Sequence, residues 1–148
     1  LLNKIERKSS SLSTKEKQAL SFRGFSFLPE LYSVLDKVAI VAPTSIQTEV
    51  IPRIMRKEGH MFYCSNTGMG KTLSYLLPVL HQLKTEEKLT TKRLTTQKKP
   101  RALIIAPTRE LVHQIEEVAK LFIYEVPLVV KSLYVGQKYS MEKEFLSS

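Results

Sequence analysis

Between two apolar stretches of this chain lies the hexapeptide Thr67-Gly68-Met69-Gly70-Lys71-Thr72. Before it, Met61-Phe62-Tyr63-Cys64 is an apolar run of strand length. After it, Leu73, Leu76, Leu77, Leu80 and Leu83 recur at spacings that line one face of a helix. A glycine turn leaving a strand and opening a helix suits the binding of phosphate. Glycines reach left-handed dihedrals and let the backbone approach a ligand closely, so that several N–H groups converge on one anion. The helix that follows adds the partial positive charge of its N-terminus. Lys71 supplies a point charge for outer phosphates, and the Thr72 hydroxyl is the natural ligand for Mg²⁺. Ser65 stands where the common form G-x-x-x-x-G-K-[ST] has its first glycine. The candidate cradle is therefore Ser65, Asn66, Thr67, Gly68, Met69 and Gly70, together with Lys71 and Thr72.

The rest of the chain reads as alternating strands and helices. Ala102-Leu103-Ile104-Ile105-Ala106 is a continuous apolar run fit for the interior of a parallel sheet, and Leu128–Tyr134 predicts a third strand. Helices are predicted after Pro29, with Leu31, Val34 and Leu35 inward, and from Thr44 as N-cap, with Pro52 marking an end or a kink. Another opens at Pro107-Thr108-Arg109-Glu110, its apolar face carried by Leu111, Ile115, Val118 and Leu121. Pro78 predicts a kink in the long helix after the glycine turn. A final helical stretch is expected from Lys138. Strand–helix–strand order with long crossovers implies an α/β fold, a parallel sheet with helices on both faces. Residues 1–20, rich in Ser, Lys and Glu, read as a flexible flank with a short helix from Thr14, and residues 21–148 as the ordered unit. Gln82–Arg101 is polar and basic and reads as a solvated connecting loop, with phosphate contact as its functional alternative.

Composition narrows the partners. At 148 residues with 43% hydrophobic side chains, the chain can bury one real core. A formal charge of +9 favours polyanions such as nucleic acid or an anionic membrane surface. No run approaches the ~20 apolar residues of a membrane span. The single cysteine, Cys64, excludes an internal disulfide framework and a cysteine zinc site, and reads as a small buried apolar residue. His60, His81 and His113 lack metal-ligand spacing and read as surface or helix-face residues.

Two further motifs stand in order around the glycine turn. Gln47 closes Pro43-Thr44-Ser45-Ile46-Gln47, twenty-five positions after Phe22; Pro107-Thr108-Arg109-Glu110-Leu111 follows the second apolar run. The set resembles the amino-terminal RecA-like domain of DEAD-box RNA helicases over residues 21–137: Phe22 with Pro43–Gln47 is similar to the Q motif, Ser65–Thr72 to motif I and Pro107–Leu111 to motif Ia. The resemblance implies a RecA-like P-loop domain, present here in its amino-terminal part, with ATP and Mg²⁺ as cofactors. Phe22, Thr44, Gln47 and Ser65–Thr72 would bind the nucleotide, Lys71 and Thr72 as catalytic residues and Thr72 on the metal. A primary amide donates and accepts at once, which gives Gln47 a means of choosing adenine over guanine. Pro107, Thr108, Arg109 and Glu110, with Gly136-Gln137 where the family commonly carries Gly-Gly, would hold an RNA backbone without reading bases. Ala39-Ile40 replaces a common Gly-aromatic pair, which weakens ring stacking on adenine.

Neither D-E-A-D nor the second RecA-like domain lies within the 148 residues. The expectation is an ATP-dependent RNA helicase whose portion here binds adenine nucleotide but does not unwind. Its implied partners are RNA, the second RecA-like domain and ribonucleoprotein components, with no membrane. The alternative is a non-hydrolysing assembly factor on ribosomal RNA that retains the helicase fold.

Overall fold

A computed structural model of the chain describes residues 21–90, 100–134 and 136. The flank over 1–20, the basic residues of 91–99, Gln137 and the stretch expected to be helical from Lys138 lie outside the described residues. The Ser21 hydroxyl accepts from the N–H of Arg23 (3.3 Å) and starts a short 3-10 turn, Phe22–Phe25. Helix α1 (Pro29–Lys37) has Pro29 in its first turn, where the missing N–H costs nothing, and buries Leu31, Val34 and Leu35 as their spacing predicts. It closes on a Schellman motif. The N–H of Ile40 donates to Leu35 (2.9 Å), that of Ala39 to Asp36 (3.2 Å), and Ala39 takes φ +58°.

Helix α2 (Ser45–Met55) has Thr44 at its N-cap, runs through Pro52 and ends three residues later on the same kind of cap, with Lys57 at φ +56°. Helix α3 (Lys71–Thr90) opens on the glycine turn and continues through the buried Pro78. It also takes in Gln82–Thr90, which corrects the reading of that stretch as a loop. The charges there have partners. Lys84 pairs with Glu87 at 2.9 Å, Glu87 with Arg101 at 3.0 Å, and Lys88 with Glu30 at 2.6 Å. Arg101 also donates to the carbonyl of Leu83 (3.1 Å), so the charged end of α3 is fastened to the chain entering the second apolar run.

Helix α4 (Arg109–Ile123) buries Ala119 and Phe122, whereas Leu121 is 49% exposed. The row that starts at Leu111 continues through Ile115 and Val118 to Phe122; Leu121 stands one position, about 100°, off it. The core lies where α1, α3 and the end of α4 meet, around Leu31, Leu35, Leu77, Leu80, Phe122 and Val126. Each such side chain contributes about 1.5–3 kcal/mol on burial.

The three runs expected as strands carry no strand pairing among the described residues. Residues 128–134 alternate between half-buried and exposed positions, whereas 102–105 are exposed throughout. Leu128 and Val130 pack on the core, while Phe62 is 96% exposed, Leu103 78% and Ile105 85%. Burial on both faces, the premise for placing 102–106 inside a sheet, is not met among the described residues. Cys64 is likewise exposed rather than buried. No described helix is long and apolar enough to cross a membrane.

Candidate functional site

The glycine turn faces solvent: Asn66, Thr67, Gly68 and Met69 are all exposed. Gly68 and Gly70 take φ +79° and +80°, the left-handed region that a turn this tight needs and that other residues avoid. Lys71, the first residue of α3, folds its ammonium group back over the turn and donates to the carbonyls of Ser65 (2.5 Å) and Asn66 (2.8 Å). A cation therefore sits on the loop's own backbone. Behind the turn, the hydroxyls of Tyr63 and Ser74 are 3.0 Å apart, and Ser74 donates to the carbonyl of Lys71 (2.6 Å). Ser74 is fully buried, so the segment entering the turn and the first turn of α3 are held together from inside. The neighbouring Thr72 hydroxyl is hydrogen-bonded with Tyr75, whose phenol is pushed up by burial despite that bond.

Gln47 comes to this turn from twenty-three residues away. Buried on the first turn of α2, it accepts from the N–H of Thr44 (2.9 Å) and donates to the carbonyl of Gly70 (3.0 Å). Thr44 adds a second tie, its hydroxyl donating to the carbonyl of Met69 (2.8 Å). A primary amide has two donor hydrogens and two acceptor lone pairs, so each end of Gln47 retains one site beyond these bonds. The contact is close enough to specify its neighbour. A Cβ on Gly70 would lie 2.3 Å from Gln47 Nε2. The structure thus unites Thr44, Gln47, Met69, Gly70 and Lys71 around one turn.

Phe22 belongs to the core, 2% exposed and edge-on to Phe25 at 6.0 Å. The segment that carries it is fixed by two residues that sequence reasoning did not single out for this role. The Tyr32 hydroxyl accepts from the N–H of Phe27 (2.7 Å), and His81 Nδ1 accepts from that of Leu28 (3.2 Å). Burial lowers the pKa of His81, in keeping with a neutral ring that accepts. Its position, one residue past Leu80 at the margin of the apolar face of α3, was the available signal.

The second motif forms its own cluster. Thr108 caps α4, its hydroxyl accepting from the N–H of Leu111 (3.2 Å), and Pro107, Thr108, Arg109 and Glu110 are all exposed. The Arg109 guanidinium stands over the ring of Tyr134, 4.7 Å from its centroid, and His113 packs against the same ring at 4.7 Å. Gly136 is exposed at φ +96° with open space around it. Glu116 accepts from Ser132 (2.7 Å) and pairs with Lys120 (2.8 Å); these two hydrogen bonds hold its carboxyl below the usual range. Among the described residues no three His, Cys, Asp or Glu side chains gather as a metal site.

A glycine turn at a helix start thus carries a lysine folded onto its own backbone and is tied to a glutamine upstream. The family profile described as DEAD/DEAH box helicase matches residues 44–148, and the chain belongs to that family. It is 35% identical over 116 residues to the DEAD-box ATP-dependent RNA helicase 39 of Arabidopsis thaliana, covering 78% of this chain and 18% of that one. It is also 35% identical over 118 residues to the probable ATP-dependent RNA helicase DDX28 of Homo sapiens, covering 78% and 21%. The chain thus spans about a fifth of the length of these relatives. Among solved structures it is similar to a DEAD box protein of Methanococcus jannaschii, with TM-score 0.67 and 22% identity over 86% of this chain and 32% of that one. It is similar also to the RNA helicase Prp28 of Chaetomium thermophilum bound to ADP, with TM-score 0.65 and 30% identity over 83% and 28%. These neighbours carry the RecA-like architecture of the family.

Proposed function

We propose that this chain is the nucleotide-binding and part of the RNA-binding portion of an ATP-dependent RNA helicase. Within the complete protein, the three extended segments would be strands of a parallel sheet. The observation that carries the reading is the pair of hydrogen bonds from α2 to the glycine turn, Gln47 to Gly70 and Thr44 to Met69. They put an amide with one donor and one acceptor to spare beside a loop built for an anion, which suits a ligand with a base at one end and phosphates at the other. Exposed glycines at positive φ and a lysine already lying on the turn fit a nucleotide phosphate chain. Lys71 would exchange its hold on the Ser65 and Asn66 carbonyls for the outer phosphates, and the Thr72 hydroxyl would contribute a ligand to Mg²⁺. ATP supplies the phosphoryl group whose hydrolysis drives the cycle. This chain's part is to bind, orient and discriminate, since phosphoryl transfer rests on positioning and charge stabilisation by groups from several motifs. By itself the chain should therefore bind without unwinding. Pro107, Thr108, Arg109 and Glu110, exposed at the start of α4 with Gly136, suit an RNA backbone. Amides and a guanidinium hold phosphates without reading sequence.

Titration with fluorescent adenine and guanine diphosphates tests the reading. The unmodified chain should prefer adenine, and Gln47→Ala should erode that preference about tenfold, the loss of one base-directed pair of hydrogen bonds. A chain with no preference to begin with would sink the assignment of Gln47.

A further inference from the structure

We infer that Tyr134 is a positioning residue for RNA binding, acting through Arg109. The inference rests on the reading of the Pro107–Glu110 segment as an RNA contact and adds a residue outside that segment. From Leu128 the chain alternates. Residues 128, 130, 132 and 134 are half-buried while 129, 131 and 133 are exposed, so Tyr134 shares its face with two residues packed on the core. Ser132, on that same face, is hydrogen-bonded to Glu116 of α4 at 2.7 Å. Two residues on, the Tyr134 ring reaches the same helix near its N-terminus, meeting His113 at 4.7 Å and the Arg109 guanidinium at 4.7 Å. Arg109, His113 and Glu116 stand at i, i+4 and i+7, one row of the helix surface. The ring is thereby fixed from two directions, by the Ser132 latch and by His113.

An exposed arginine otherwise samples many rotamers, and each must be given up when a phosphate is bound. Stacking on a fixed aromatic face restrains the side chain beforehand while leaving its N–H groups in the guanidinium plane free for phosphate oxygens. The ring itself need not touch RNA.

Fluorescence anisotropy of a labelled oligouridylate against the full chain, over a range of salt, decides the matter. Arg109→Ala should reduce the slope of log K on log salt by about 0.7, the contribution of one phosphate contact on a single strand. Tyr134→Leu, which keeps apolar volume without a π face, should weaken binding about two- to fivefold and move the slope in the same direction. Tyr134→Phe should restore both. Tyr134→Leu should add nothing in the Arg109→Ala background. Unchanged affinity and slope in a folded Tyr134→Leu chain would overturn the proposal. So would an additive loss in the double variant, which would make Tyr134 a contact in its own right. If Arg109→Ala itself leaves affinity and slope unaltered, the RNA reading of the segment fails first and the role of Tyr134 with it.

Discussion

Gly70→Ala should be among the costliest single-methyl additions in this chain. Two effects combine. At φ +80° an L-residue is in the left-handed region, at a cost of about 1–2 kcal/mol. The new methyl would also lie 2.3 Å from Gln47 Nε2, closer than a Cβ comes to any heavy atom, and a tight 3.1 Å from its Cδ. Gln47 is buried and engaged at both ends, by Thr44 and by Gly70, so it cannot swing aside without leaving polar groups unpaired. That displacement costs about 1–3 kcal/mol. The sum is about 2–5 kcal/mol, a large part of the stability of a small domain. Urea unfolding monitored by circular dichroism measures it, and a double-mutant cycle with Gln47→Ala divides it. In the Gln47→Ala background the clash is absent and only the dihedral cost should remain, giving a coupling of about 1–3 kcal/mol. Strictly additive losses, or a Gly70→Ala variant within about 0.5 kcal/mol of the parent, would refute the close packing of glutamine on glycine.

Two other substitutions test features away from the turn. Ala39→Gly should raise the urea midpoint, by up to about 1.5 kcal/mol in stability: φ +58° costs alanine about 1–2 kcal/mol, of which glycine returns about 0.5–1 through its freer unfolded chain. A lowered midpoint would show that the alanine methyl packs. For His81, burial depresses the native pKa, so above the unfolded value near 6.5 both states are neutral and no penalty exists. As pH falls below about 6.5 the unfolded chain takes up a proton the native ring resists, and stability should decline down to the native pKa. His81→Gln should flatten the decline of the urea midpoint as pH falls below about 6.5; an unaltered slope would show that His81 does not govern it.

The helices were legible because their signals are local. Pro29, Thr44 as a cap, Pro107–Glu110 as an opening and leucines at helical spacing each act within a few residues, and all three helix starts fall at or beside those residues. The ends of helices were less legible. Pro52 and Pro78 each remove one hydrogen bond, yet α2 and α3 continue past them because Ile51 and Met55 around the first, and Leu77 and Leu80 around the second, are held at the core. The charged stretch from Gln82 looked like loop because its composition is polar. Its helical state depends on Glu30 and Arg101, 58 and 14 residues from the side chains they bind, and no local window contains them.

The motifs and the extended segments divide on the same ground. Glycine, lysine and the amide of Gln47 were readable as chemistry, since a phosphate or a base requires those groups whatever surrounds them. Their mutual geometry was not: nothing in Pro43–Gln47 states that its side chains grip the Met69 and Gly70 carbonyls and so make the Gln47 amide a structural brace of the glycine turn. A strand, by contrast, is defined by neighbours it does not contain. Met61–Cys64, Ala102–Ala106 and Leu128–Tyr134 have the apolar content that a covered sheet demands, but hydrogen-bonded pairing is a relation between segments. Among the described residues no such pairing is present, and residues 102–105 are exposed at every position. The exposed Phe62, Leu103 and Ile105 side chains therefore mark the surface on which these helices alone do not account for the apolar pattern of the sequence.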